Sequence, residues 1–137
     1  MTSKTEQLLN NPHKIAEMIV RNQAKLEALK YTVMPHSAGY GKTGVRTDRK
    51  VDLIPEYVAK MDEIERTIKS LQKDYLRAVD ALSAACEQLD EIPGTIIMYR
   101  YVHSKSYEEI AEIVMYSASQ VYQLRRKGIE KLDLLYN

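Results

Sequence analysis

Two apolar series, each stepping by seven residues, run without interruption through the middle of this 137-residue chain. From Ile54 the steps fall on Met61, Ile68, Tyr75, Leu82 and Leu89, and from Tyr57 on Ile64, Leu71, Ala78 and Ala85. A seam that stays apolar at both positions over so many turns predicts one long helix whose stripe must be covered by another helix. Asp52 is placed to cap its start, Pro55 is tolerated in the first turn, and Pro93 with Gly94 breaks its end. The helix would then span about 39 residues and roughly 58 Å. Upstream, Ile15, Ile19, Leu26, Leu29 and Val33 recur at helical spacings and Pro12 follows Asn10 and Asn11, which predicts a first helix over 11–33. Two partners can cover the seam: this first helix folded back antiparallel, or the same helix of a second chain.

The segment between the two helices, 31–50, breaks every periodicity and carries four basic residues against one acidic. Lys42, Arg46, Arg49 and Lys50 in it are candidates for phosphate or protein-partner contacts. Residues 51–90, with five basic and nine acidic groups, make a poor nucleic-acid surface, and 91–137 balances at six of each. With 5 glycines and 4 prolines the chain is too poor in turn residues for a sandwich or small barrel, so the expected class is all-α. The expected organisation is an antiparallel helical hairpin or coiled coil over 1–92, for oligomerisation, and a three-helix module over 93–137. No apolar run approaches the roughly 18 to 20 residues of a membrane span and no signal peptide is visible, which predicts a soluble, cytoplasmic protein with no membrane partner.

Catalytic and metal chemistry find no foothold. Gly41, Lys42 and Thr43 match the end of a phosphate-binding loop, but His36 stands where its first glycine belongs and no strand precedes it. His13, His36 and His103 lie on separate elements without metal-ligand spacing, and the lone cysteine, Cys86, sits in an alanine-rich helix where packing explains it. No nucleophile–base pair is present, so neither enzyme activity, cofactor nor metal is expected.

The last third is the informative part. Ser106 stands three residues before Glu109, and Ser117 three before Gln120, a capping box at each of two helix starts eleven residues apart. Between and after them Ile110, Ala111, Val114, Tyr116, Val121 and Leu124 follow the helix-turn-helix pattern, with Ala111 as the small residue where two helices cross. Ten tyrosines replace all Phe and Trp; Tyr99, Tyr101, Tyr107 and Tyr116 fall at packing positions, and Tyr122 is the exception.

The stretch RYVHSKSYEEIAEIVMYSASQVYQLRRKGIEKL resembles region 4 of bacterial sigma factors. A coiled-coil half followed by such a module resembles small phage transcriptional regulators of the ArpU and RinA kind. The resemblance implies a DNA-binding regulator, encoded by a phage or prophage, that binds double-stranded DNA as a homodimer through the second helix of the motif. Ala118, Ser119, Tyr122 and Gln123 would face base edges, with Gln123 as the best reader because glutamine pairs bidentately with adenine. Arg125, Arg126 and Lys127 would hold phosphates, and Lys105, Ser106 and Ser117 would lie at the helix starts that meet the backbone. Met115 replaces the glycine usual at the turn, and Ala118 and Ser119 replace the arginine and glutamate of the reading face, which argues against a standard promoter element. A packaging protein of the small-terminase kind and an adaptor that binds RNA polymerase are the rival readings.

Overall fold

The computed structural model describes residues 1–33 and 55–136. Among these the chain is all-α: α1 (Ser3–Val33), α2 (Pro55–Cys86), α3 (Glu91–Tyr101), α4 (Tyr107–Val114) and α5 (Ala118–Leu135). The basic residues Lys42, Arg46, Arg49 and Lys50, the cap expected at Asp52 and the seam position Ile54 lie outside the described residues. Two compact units are present, Met1–Ala16 with Lys73–Asn137, and Glu17–Gln72. The unit that carries the C-terminal helices therefore takes in the first turns of α1 and the last turns of α2, which a division at residue 92 leaves out.

The heptad stripe is the least exposed line along α2. Ile68, Leu71, Leu82 and Ala85 are buried, Tyr57, Met61, Ile64, Tyr75 and Ala78 are half-buried, and most positions between them are open. In the C-terminal unit α1 and α2 run antiparallel, because Leu9 near the start of α1 shares one cluster with Leu82, Ala85 and Cys86 at the end of α2. In the unit Glu17–Gln72, Ile19, Leu26 and Leu29 of α1 are likewise half-buried between exposed neighbours. Burial of the Cys86 thiol pushes its pKa up to about 11, which suits a packing residue rather than a nucleophile.

Two helix boundaries differ from those the sequence suggests. The first helix begins at Ser3, not near residue 11: the Thr2 hydroxyl accepts from the Thr5 N–H at 3.2 Å, and the Thr2 N–H donates to Asp133 at 2.9 Å. Pro12, expected near the helix start, is buried in the interior of α1, where its missing N–H leaves the Leu8 carbonyl without its helical donor. The second helix ends at Cys86 after 32 residues, short of Pro93. Its last turn tightens as Gln88 and Leu89 donate to the carbonyls of Ala85 and Cys86, at 3.1 and 3.0 Å. Pro93 and Gly94 then fall inside the first turns of α3, where a proline costs little. Gly94 is required by closeness: a Cβ there would stand 2.8 Å from the Cys86 carbonyl oxygen.

Candidate nucleic-acid interface

Helices α3, α4 and α5 enclose a core of Ile96, Ile110, Ala111 and Val121, with Ile92, Tyr99, Tyr107, Val114 and Leu124 packed against it. Both capping boxes form as the serine spacings demand. At α4 the Glu109 N–H donates to the Ser106 hydroxyl at 3.1 Å while the Ser106 N–H donates to the Glu109 carboxylate at 2.9 Å. At α5 the matching distances between Ser117 and Gln120 are 3.1 and 3.0 Å. The hydrogen bond from the Ser106 N–H, then that from its hydroxyl, holds the Glu109 carboxyl below the usual carboxylate range. Ala111 is buried at the centre of the module, the small residue the motif calls for.

The turn between α4 and α5 is closed by Met115 in the left-handed conformation, φ 62° and ψ 40°. The Ala111 carbonyl accepts from the N–H groups of both Met115 and Tyr116, which ends α4 and redirects the chain into the Ser117 cap. Tyr116, expected in the core, is instead exposed: it lies in this turn, where its side chain has no helix to pack under.

On α5 the buried positions Val121, Gly128, Ile129 and Leu132 leave Ser119, Gln123, Arg126 and Glu130 on the opposite side, one turn apart in succession. Ser117, Ala118, Ser119, Gln123, Arg126 and Lys127 are all exposed, so one helix end brings together most of the residues expected to meet DNA. Arg126 stands 3.9 Å from Glu130, an exposed pair that water screens.

Arg125 is placed otherwise, and Tyr122, although exposed, sets its ring against Tyr107. The Arg125 guanidinium is half-buried, donates to the Tyr101 hydroxyl and lies over the rings of Tyr122 and Tyr107 at 5.2 and 5.7 Å. The Tyr107 and Tyr122 rings meet at 5.1 Å, and Arg100 covers Tyr107 at 4.5 Å. Arg125 therefore ties α5 to α3 instead of joining Arg126 and Lys127 on the open face. Lys105 is half-buried with its carbonyl held by Arg100 at 3.0 Å, and three glutamates, Glu108, Glu109 and Glu112, are exposed on the α4 that follows. Positive charge is thus concentrated on α5. Sequence reasoning missed Arg100, and placed Tyr101 in the packing without its bond to Arg125, because their partners Tyr107 and Arg125 come from other helices and leave no local periodicity.

Among the described residues no group of three His, Cys, Asp or Glu side chains is placed to hold a metal ion, and no helix is long and apolar enough to cross a membrane. No family model matches the chain, and neither a curated protein nor a solved structure is similar to it.

Proposed function

We propose that the chain is a sequence-specific DNA-binding transcriptional regulator of phage or prophage type, acting as a dimer through its C-terminal helix-turn-helix. The observation that carries this reading is the open end of α5, where two capping boxes and the crossing at Ala111 present Ser119 and Gln123 outward with Arg126 and Lys127 beside them. A helix of this kind enters the major groove by its N-terminal residues. One such module makes few phosphate contacts, and joining two raises avidity without new contacts. The test is a titration of the purified chain against DNA fragments from its own genomic neighbourhood at two salt concentrations, with its mass in solution measured alongside. Retention of one fragment by a dimer, with steep salt dependence, is expected. A ring of roughly eight or more subunits would favour packaging instead.

One observation favours the adaptor reading. Ile113, Met115 and Tyr116 are exposed together around the α4–α5 turn, beside the exposed glutamates of α4. That surface suits a protein partner with basic and apolar groups better than a polyanion. Absence of DNA binding at low salt, with capture of purified RNA polymerase, would establish this second reading.

A further inference from the structure

In the C-terminal unit a pocket of about 290 Å³ is lined by Asn10 and His13 of α1 and by Arg100, Tyr101 and Ser104 at the end of α3. All five side chains are polar, none is a carboxylate, and Arg100 is charged at any working pH. Arg100 is already oriented: one terminal N–H donates to the Lys105 carbonyl at 3.0 Å and its plane lies over Tyr107 at 4.5 Å, which leaves further guanidinium donors for a ligand. The Tyr101 oxygen accepts from Arg125 at 2.5 Å, so its own proton is directed away from that bond. Ser104 holds φ 54°, and the flanking N–H groups of His103 and Lys105 fix the turn by donating to the carbonyls of Met98 and Tyr99 at 3.3 and 3.0 Å.

We propose that this pocket binds a phosphate group. Donor-bearing side chains from two separate elements line the pocket, and a tetrahedral phosphate offers them more acceptor oxygens than a planar carboxylate. The phosphate has two sources. One is the DNA backbone, since α4 starts directly after the pocket's Ser104 turn, and this source rests on the DNA-binding reading above. The other is a small phosphorylated molecule such as a mononucleotide, for which the volume is near the lower end of ligand pockets, and this source is independent of that reading.

The test uses the full chain, isotope-labelled, titrated separately with inorganic phosphate, adenosine 5′-monophosphate and a 20-base-pair duplex. Saturable shifts are expected at the amides of Asn10, His13 and Arg100 through Ser104. Asn10→Ala and Ser104→Gly each remove a side-chain donor, the second at a positive φ that glycine favours, and should each weaken the response roughly tenfold, the loss expected for one bond to a charged ligand. Shifts with the duplex alone assign the pocket to a backbone phosphate. Shifts with phosphate or the mononucleotide but no duplex binding remove the DNA reading and leave the pocket standing. Duplex binding that both variants leave unchanged, with no pocket shift for either small probe, overturns the pocket and leaves the DNA reading standing. No shift at these residues with any probe also overturns it.

Discussion

The Arg125 guanidinium donates to the Tyr101 hydroxyl at 2.5 Å, across the interface between α5 and α3. Its two flanking rings, Tyr107 and Tyr122, come from α4 and α5, so a single side chain joins all three helices of the module. Replacing Arg125 with Ala should therefore destabilise the chain by about 2–4 kcal/mol, the worth of one hydrogen bond to a charged group plus a partly exposed cation–π contact. Arg125→Lys should not restore it, because an ammonium lacks the planar fork that both stacks and donates. Urea unfolding of the two variants and of Tyr101→Phe, combined as a double-mutant cycle, reads the coupling directly; additive losses would mean the bond contributes nothing.

Met115 occupies a left-handed position that costs an L-residue about 1–2 kcal/mol, and at 87% exposure it has little packing to lose. Met115→Gly should stabilise the chain by up to about 1 kcal/mol after the entropy of the unfolded glycine is discounted, whereas Met115→Val should destabilise it. Thermal unfolding checks the order Gly, Met, Val; an order with Gly lowest would show that the turn does not hold this conformation in solution.

The two glycines of the C-terminal unit should behave differently towards alanine. At Gly94 the new Cβ meets the Cys86 carbonyl oxygen at 2.8 Å, a backbone atom that cannot swing aside, so α3 must move off the end of α2. A loss of about 2 kcal/mol or more is expected. At Gly128 the nearest atom, 3.0 Å away, is the tip of Ile97, and the gain in helix propensity of about 1 kcal/mol offsets the crowding, leaving a change near zero. Unfolding free energies that rank Gly128→Ala below Gly94→Ala would contradict this.

The helix starts at Ser106 and Ser117 were legible because a capping box is local: its bonds join residues three apart, and the serine with its glutamate or glutamine states both halves. The stripe of α2 was legible for the same reason, being a repeat along one element. What could not be read depends on partners distant in sequence. Asn10, Asn11 and Pro12 mimic a helix start, and only the anchoring of Thr2 by Asp133, on α5, carries α1 back to Ser3. Arg125 follows the reading residues and looks like one more phosphate contact until Tyr101 is brought beside it. Tyr116 failed as a core residue because the left-handed Met115 turns the chain outward one residue before it.

Glu109 and Gln120 fill the same position in two capping boxes, but only the first titrates. Because its hydrogen bonds to Ser106 lower the Glu109 pKa in the folded state, its contribution is fully present above the unfolded value of about 4.3 and is lost as pH falls through the lower folded value. The amide resonance of Ser106 should accordingly move on acidification with a midpoint below that of an unperturbed glutamate, while that of Ser117 stays in place. Glu109→Gln should abolish the Ser106 titration. Parallel movement of both amides would place its cause in global unfolding instead.

The outward side of α5 makes separate demands on its residues if it lies in a major groove. Gln123, a turn beyond Ser119 and free of the core, would specify a base, so Gln123→Ala should relax sequence choice at one position at a cost of about 1–3 kcal/mol. Arg126 and Lys127, exposed beside it, would neutralise phosphates. Replacing either with Gln should weaken binding about equally for all sequences and reduce the slope of log affinity against log salt by about 1. Arg125→Ala separates the two classes of arginine: measured where the variant is still folded, its salt slope should equal the parent's, since its charge faces Tyr101 and not the groove. A parental salt slope for Arg126→Gln together with a reduced one for Arg125→Ala would mean that DNA meets the tyrosine-lined side of α5 and not its open face.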